Sequence, residues 1–338
     1  KDFVAVMGAA SCLSIRLERP SACIPVLIRW GWEFWKRLCT DRTGNGTRMT
    51  LKGEEMSRIR IVADSTCDLS PELIRQYEIS ILPLNIVLDM TSYCDGEEIV
   101  PDEIYTWAEK NRRTPKTAAV AFDRALDLIR PMKDNGDDVI FIGISGEMST
   151  TCNVLRLVKE ELEYDRMFII DSGNLSTGIG LQVLRAAGLA AAGRNAESIA
   201  AEIENCRDKV RASFVVERLD YLAMGGRCST VTALLGGKLN LKPRIEVSGG
   251  KMSAGKKYRG AQDKVILKYV QDMRDNLLAA DPERVFITHS GCPEEVTEQV
   301  KRYLEDLGVF QNIHVTRAGG VISSHCGPGT LGVLYYTR

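Results

Sequence analysis

Transition-metal ligands are scarce in this sequence of 338 residues. Its three histidines, His289, His314 and His325, form no His-x-x-x-His pair, and its ten cysteines include no Cys-x-x-Cys pair. These spacings argue against a zinc site and a disulfide framework, so we predict no metal and reduced thiols in a cytoplasmic protein. Asp64 and Asp171 follow predicted strands without a third acid at metal-ligand spacing, and we expect them to brace loops.

Excess charge and long apolar runs are also missing. The 44 Lys and Arg residues nearly balance the 45 Asp and Glu residues, and the resulting net charge of −1 argues against a nucleic-acid partner. No apolar stretch reaches the length that spans a bilayer. Hydrophobic residues make up 44% of the chain, as in ordinary globular proteins, and the length predicts two domains.

The loops with which many enzymes hold nucleotides are absent as well. The sequence has no Gly-x-x-x-x-Gly-Lys-Ser/Thr motif, no Gly-x-Gly-x-x-Gly motif after a predicted strand, and no Gly-x-Ser-x-Gly elbow. These absences argue against a phosphotransferase or hydrolase that works alone, and no cofactor is predicted. That alternative stays open, as does a regulatory module that binds a small anion.

The first 55 residues differ in composition from the rest of the chain. They hold three of the four Trp residues and three of the ten cysteines. Lys52-Gly53-Glu54-Glu55 directly precedes Met56, and its codons can be purine-rich, as in a bacterial ribosome-binding site. We therefore predict a leader outside the natural domain over 1–55, an N-terminal α/β domain over 56–211 and a C-terminal α+β domain over 212–338. The intact mass of the native protein tests this start.

Short apolar runs alternate with amphipathic stretches after Met56, a pattern typical of a parallel sheet covered by helices on both faces. The predicted strands of this three-layer domain are Ile59–Ala63, Ile79–Asp89, Val139–Ile144 and Phe168–Ile170. Its predicted helices begin at Ser70-Pro71, cover Pro101–Glu109, lie within Thr117–Arg130, follow Thr151, and cover Thr177–Ala192 and Ala196–Val210. Ligands of such sheets bind beyond the carboxyl ends of the strands.

The order of predicted strands and helices is different over 212–338. Its predicted strands are Phe214–Val216, Val285–Thr288, Ile313–Arg317 and Thr330–Tyr336, with a hairpin of Leu239–Val247 and Lys251–Ser253. Its predicted helices are Glu217–Met224, Val231–Leu235 with Gly236-Gly237 at its end, Ala261–Leu278 and Pro293–Leu307. Hairpins and separate helices of this kind predict an α+β domain.

A loop rich in small hydroxyl side chains joins the predicted strand Val139–Ile144 to the next helix. It contains Ser145, Ser149 and Thr150, and the start of the helix beside it has free backbone N–H groups. Such a loop favours a negatively charged ligand. A plain N-cap role for Ser149 is the alternative interpretation.

Four motifs follow one another between 57 and 338. They are Asp64-Ser65-Thr66 with Asp68-Leu69, Ser145 with Met148-Ser149, Leu219-Asp220-Tyr221-Leu222 with Gly225-Gly226-Arg227, and His325-Cys326-Gly327-Pro328-Gly329 with Leu331-Gly332. Their order and spacing closely resemble the DegV family of bacterial fatty-acid-binding proteins, and Lys242-Pro243 and Arg259-Gly260 also fit its pattern. Nothing in 1–55 matches it.

The resemblance implies a two-domain fold with one long-chain fatty acid in an apolar tunnel between the domains. It implies a lipid-binding protein rather than an enzyme, namely the acyl-carrying subunit of a bacterial fatty acid kinase. A separate ATP-binding kinase subunit then phosphorylates the bound carboxylate. A transient contact with the membrane surface is implied as well.

The resemblance also indicates which side chains bind the carboxylate. By position in the family motifs these are Thr117, Ser149, Arg227 and His325, and we add Ser145 and Thr150 from the hydroxyl-rich loop.

Two departures from the family pattern affect this assignment. Thr117 is followed by Ala118-Ala119-Val120 where the family has Ser-Gln-Pro, and Ser149 is followed by Thr150-Thr151 where it commonly has Gly-Thr. These differences point to an altered headgroup pocket or chain-length preference. The alternatives are that Arg227 pairs with a surface acid and that His325 is a turn residue bonded to the backbone.

Overall fold

The structure is a computed structural model that describes residues 57–232 and 241–338. The predicted leader over 1–55 and the helix end predicted at Gly236-Gly237 lie outside the described residues. The strands are β1 (Ile59–Asp64), β2 (Ser80–Leu82), β3 (Asn85–Leu88), β4 (Thr91–Cys94), β5 (Lys116–Ala118), β6 (Asp138–Gly143), β7 (Met167–Asp171), β8 (Val210–Val215), β9 (Lys242–Ser248), β10 (Lys251–Tyr258), β11 (Ala280–Ser290), β12 (Asn312–Arg317) and β13 (Thr330–Thr337). The α-helices are α1 (Pro71–Gln76), α2 (Pro101–Asn111), α3 (Phe122–Asp134), α4 (Thr151–Glu161), α5 (Thr177–Ala191), α6 (Ala196–Cys206), α7 (Leu219–Gly225), α8 (Ser229–Thr232), α9 (Gln262–Asp272), α10 (Arg274–Leu278), α11 (Glu294–Asp306) and α12 (Gly320–Cys326).

The N-terminal half contains a four-stranded parallel sheet in the order β2-β1-β6-β7. Successive residues of its strands face opposite sides, so Val62 and Phe141 pack with α3 and α4 whereas Ile61 and Ile140 pack with α5. The predicted α/β architecture with helices on both faces of a parallel sheet is confirmed. Ser70 caps α1 as predicted, because its Oγ accepts a hydrogen bond from the Leu73 N–H at 3.4 Å.

The C-terminal half contains a six-stranded mixed sheet in the order β10-β9-β8-β13-β11-β12, in which only β11 and β12 run parallel. One face packs with α9 and α11 through residues such as Ile287 and Val300. The other face packs against the N-terminal half through residues such as Phe214 and Leu334. The predicted α+β domain is confirmed, whereas the domain limits at 55/56 and 211/212 stay a prediction.

Helix α5 lies between the two large sheets and contacts β1 and β6 on one side and β8 and β13 on the other. All of its residues from Thr177 to Leu184 are buried, which explains its composition of Ala, Leu, Val and Gly. Gly180 is required by a close approach, because a Cβ there would lie 2.8 Å from Leu69 Cδ2 and 2.9 Å from the Cys67 carbonyl oxygen. By contrast, a Cβ at Gly188 would meet no atom within 4 Å.

We expect Gly180→Ala to destabilise the protein by about 1–3 kcal/mol, because overpacking outweighs the better helix propensity of Ala. The matched control is Gly188→Ala in the same helix, which should be neutral or stabilise the fold by up to about 1 kcal/mol. Urea denaturation of both variants measures the difference. Equal free energies of unfolding for the two variants would contradict this packing.

Two predicted helices differ from the structure. The helix predicted over Ala196–Val210 ends at Cys206, because Val210 pairs with Tyr336 as the start of β8. The helix predicted over Ala261–Leu278 is interrupted at Met273, between α9 and α10. The helix predicted within Thr117–Arg130 corresponds to α3, which begins at Phe122. Strand β5, which carries Thr117 in a small antiparallel sheet with β3 and β4, and helix α12 were not predicted.

Candidate functional site

Side chains of the strand ends hold the loops beyond β1, β6 and β7 together. Asp64 accepts a hydrogen bond from the Ile144 N–H at 2.7 Å, and Asp171 accepts one from the Gly146 N–H at 3.0 Å. Burial raises the pKa of Asp64 to about 6, although hydrogen bonds from Thr66 and Ile144 oppose the rise. Both acids therefore brace loops, as expected.

Ser149 lies in the loop between β6 and α4, one residue before the N-cap Thr150. Its Oγ accepts a hydrogen bond from the Thr151 N–H at 3.3 Å and lies 3.0 Å from Thr151 Oγ1. Ser149 thus satisfies one of the free N–H groups of the first helical turn, although the N-cap residue itself is Thr150, and it also lines the cavity described below.

His325 lies in α12 and reaches Thr117 on β5, with 2.8 Å between its Nε2 and Thr117 Oγ1. Its buried Nδ1 has no hydrogen-bond partner among the described residues. Burial, with a smaller effect of the Arg227 charge, lowers the pKa of His325 to about 4, so the ring is neutral near pH 7. The alternative of a turn histidine bonded to the backbone does not describe this helical residue.

Arg227 follows the glycines at the end of α7 and donates to two backbone carbonyls. Its Nε lies 3.3 Å from the Met148 oxygen and its Nη1 lies 2.8 Å from the Gly225 oxygen. In the part of the chain that the structure describes, no carboxylate pairs with Arg227. Lys251, by contrast, pairs with Glu147 at 3.2 Å. The alternative of a surface ion pair for Arg227 is therefore not observed.

These side chains converge on a cavity of about 690 Å³, within the usual range for small-molecule sites. Its walls come from both halves of the protein and include five of the six predicted residues. These five are Thr117, Ser149, Thr150, Arg227 and His325. The rest of the wall combines the polar side chains Glu147, Ser229 and Lys251 with apolar ones, which include Leu84, Ile144, Met148, Leu175, Val321 and Ile322.

Ser145, the sixth predicted residue, does not line this cavity. Its Oγ donates to the Gly250 carbonyl oxygen at 2.8 Å and accepts from the Glu147 N–H at 3.2 Å. Gly250 has φ +78° and a Cβ there would lie 2.6 Å from Ser145 Oγ. The structure therefore shows Ser145 bracing the turn between β9 and β10 against the hydroxyl-rich loop.

Sequence reasoning missed the apolar residues that α12 contributes to the cavity. Val321 and Ile322 line its wall one turn before His325. The available signal was Gly327-Pro328, since Gly and Pro commonly follow the last turn of a helix.

The two other histidines have structural surroundings. His289 Nδ1 accepts a hydrogen bond from the Cys292 N–H at 3.2 Å, and His314 stacks on Phe286 with 4.9 Å between the ring centroids.

Within 57–232 and 241–338, no three His, Cys, Asp or Glu side chains come together as a metal site. No helix in this described part combines the length and apolar character needed to cross a bilayer.

The chain is similar to known proteins over nearly all of residues 58–338. The family model described as DegV, an uncharacterised protein family, matches residues 58–338. A DegV domain-containing protein of Clostridium perfringens is 33% identical over 282 residues, covering 83% of this chain and 99% of that protein.

Two solved structures are also similar. One, described as fatty acid binding of a DegV family protein from Thermus thermophilus, has a TM-score of 0.77 and 30% identity and covers 83% of this chain and 100% of that one. The other, a stearic acid-binding protein from Eubacterium ventriosum, has a TM-score of 0.73 and 26% identity and covers 82% of this chain and 98% of that one. The chain belongs to the DegV family.

Proposed function

We propose that this protein binds one long-chain fatty acid in the cavity between its two halves. The carboxylate lies at the end formed by Thr117, Ser149, Arg227 and His325, and the acyl chain follows the apolar wall. The fatty-acid-binding relatives from Thermus thermophilus and Eubacterium ventriosum support this proposal.

The observation that carries the proposal is a cation that pairs with no carboxylate within 57–232 and 241–338 and lies beside apolar side chains. A carboxylate removed from water must be compensated by donors or positive charge. Arg227 offers a guanidinium group that no described acid neutralises, and the hydroxyls of Ser149 and Thr117 lie on the same cavity. A fatty acid supplies the missing anion and an apolar chain in one molecule.

A second, much smaller cavity adjoins the apolar side of the main one. A small adjoining cavity of about 20 Å³ shares Leu175, Ile322 and Cys326 with it and is also lined by Phe214 and Leu334. Each buried methylene contributes roughly 0.8 kcal/mol, so a long acyl chain gains on the order of 10 kcal/mol before the costs of binding. The tail therefore dominates affinity, and the polar groups fix its orientation.

The finer proposal is that the protein presents the carboxylate to a separate ATP-binding kinase subunit. One carboxylate oxygen attacks the γ-phosphorus of ATP, the bond to the ADP oxygen breaks, and an acyl phosphate and ADP result. Arg227 and Thr150 are exposed at the cavity, where a partner could approach, and the sequence lacks the usual ATP-binding loops. We place this function in the cytoplasm, with transient contact at the membrane surface for ligand exchange.

Native mass spectrometry of protein purified from bacteria tests the ligand. We expect the protein to carry a mass increment equal to one long-chain fatty acid, which organic extraction removes and added oleate restores. A phosphorylated metabolite instead would favour a small-anion module. Robust ATP hydrolysis by the purified protein alone would favour a stand-alone phosphotransferase or hydrolase, and either result would contradict the proposal.

A further inference from the structure

Two buried aspartate side chains of the N-terminal half contact the start of helix α12 in the C-terminal half. Asp95 accepts hydrogen bonds from the Gly320 N–H at 2.7 Å and the Val321 N–H at 3.3 Å. Asp68 accepts one from the Gly319 N–H at 2.8 Å. Their exposed fractions are only 4% and 5%, so these contacts are shielded from water and replace the hydration that the carboxyl groups lose.

Each carboxyl group is also fixed within its own half. Ser65 Oγ donates to Asp95 at 2.8 Å and accepts the Leu84 N–H at 3.2 Å. Ser176 Oγ donates to Asp68 at 2.6 Å. Leu84, whose N–H bonds to Ser65, lines the cavity, and so does Leu175, which precedes Ser176 in the sequence. The same network therefore joins the cavity wall of the N-terminal half to α12.

The backbone of α12 allows this contact only because its first residues are glycines. A Cβ at Gly320 would lie 2.7 Å from Asp95 Oδ1 and 2.5 Å from Ile86 Cδ1. A Cβ at Gly319 would lie 3.2 Å from Asp68 Oδ1. The Gly-Gly pair thus lets the two carboxyl groups approach the N–H groups directly.

We propose that Asp68 and Asp95 are positioning residues that set the place of α12, and through it the contact between His325 and Thr117 at the cavity. Helix α12 contributes Val321 and Ile322 to the cavity wall and His325 to its polar end, all within seven residues of the held N–H groups. A shift at its start therefore moves both the wall and the imidazole. For its effect on the ligand, this inference rests on the proposed function.

The variant Asp95→Ala tests the proposal. The measurement is the NMR chemical shift of His325 Nε2 in ¹⁵N-histidine-labelled protein without ligand. Thr117→Val defines the shift that loss of the His325 contact produces, and His325→Gln assigns the signal among the three histidines. We expect Asp95→Ala to move the resonance in the direction of Thr117→Val. Asp95→Asn keeps an oxygen acceptor for the Gly320 N–H and should restore most of the parent position.

The control for simple loss of stability is Ile129→Ala, in the core between α3 and the parallel sheet and away from α12. It should lower the unfolding temperature without moving the His325 resonance. An unmoved resonance in Asp95→Ala, or an equal shift in Ile129→Ala, would overturn the proposal. If Asp95→Ala does not fold, Asp68→Ala, which removes the Gly319 contact, is read in the same way.

Ligand binding provides the second measurement. We expect the Kd for oleate to rise roughly fivefold to tenfold in Asp95→Ala and to recover in Asp95→Asn. An unchanged Kd in Asp95→Ala would show that α12 reaches the same place without the carboxylate. If the parent protein binds no oleate, the proposed function fails, while the ring resonance still decides whether the carboxylates position His325.

Discussion

Arg227→Ala is expected to lower acyl phosphate formation by about a hundredfold or more while fatty acid affinity falls only a few fold. The difference arises because the two measurements depend on different parts of the ligand. In the proposed complex the acyl chain supplies most of the binding free energy, whereas Arg227 is proposed to hold the carboxylate oxygen that meets the γ-phosphate. A misplaced nucleophile costs rate even when the ligand remains bound.

The experiment compares oleate-loaded parent and variant with the purified ATP-binding subunit of a bacterial fatty acid kinase. Hydroxylamine traps the acyl phosphate for quantification, and native mass spectrometry measures how much oleate each protein retains. Ser149→Ala should act in the same direction with a smaller effect, since it removes a neutral hydroxyl rather than a charge.

Arg218→Ala is the matched control for Arg227→Ala. Arg218 precedes α7, pairs with Asp220 at 2.6 Å and lies 5.2 Å from the centre of the Tyr221 ring, and it does not line the cavity. The Arg218→Ala variant should form acyl phosphate at the same rate as the parent protein. Equal rates for Arg227→Ala and the parent would remove Arg227 from the proposed site, and equal losses for both variants would point to a damaged partner surface instead.

The parallel sheet was predictable because its strands are short, apolar and separated by helices with clear starting signals. Val139–Ile144 and Phe168–Ile170 match β6 and β7 to within one residue at each end. Ser70-Pro71 marked the start of α1 because both residues favour that position for local reasons. Local preference and tertiary packing agree in these segments.

Elements fixed mainly by distant partners were not predictable. Strand β5 is three residues long and is defined by pairing with β3, where Thr117 lies opposite Ile86. Helix α12 is seven residues long, and all of its residues except His325 are buried, so it has no amphipathic pattern. Its start is held by Asp95, 225 residues earlier in the chain, a contact that no local pattern reveals.

Part of the cavity could be predicted from the order of the strands and loops. Motifs that follow strands of one parallel sheet lie at the same edge, which brings Ser149 and Leu175 together. The family motifs indicated that Arg227 and His325 join them. The 2.8 Å contact between His325 and Thr117, 208 residues apart, and the bracing role of Ser145 required coordinates.

Fatty acid binding is expected to raise the pKa of His325 by roughly one to three units from its value of about 4. Without ligand, burial and the Arg227 charge both favour the neutral ring. A carboxylate beside the ring favours the imidazolium form, so the bound state takes up a proton between the two pKa values. By linkage, affinity for the carboxylate must increase as the pH falls through that window.

Titration of the ring nitrogens of ¹⁵N-histidine-labelled protein, with and without oleate, measures both pKa values directly. Oleate affinity should rise as the pH is lowered from roughly 7 to 5, which is above the pKa of an ordinary carboxyl group. His325→Gln should flatten that dependence, because glutamine does not titrate. Oleate methyl ester provides the matched ligand, since it fills the apolar wall without a charge and should leave the pKa of His325 low. A ring that titrates near pH 4 with oleate bound would mean that the carboxylate lies away from His325, and Arg227 with Ser149 would then define the polar end of the cavity.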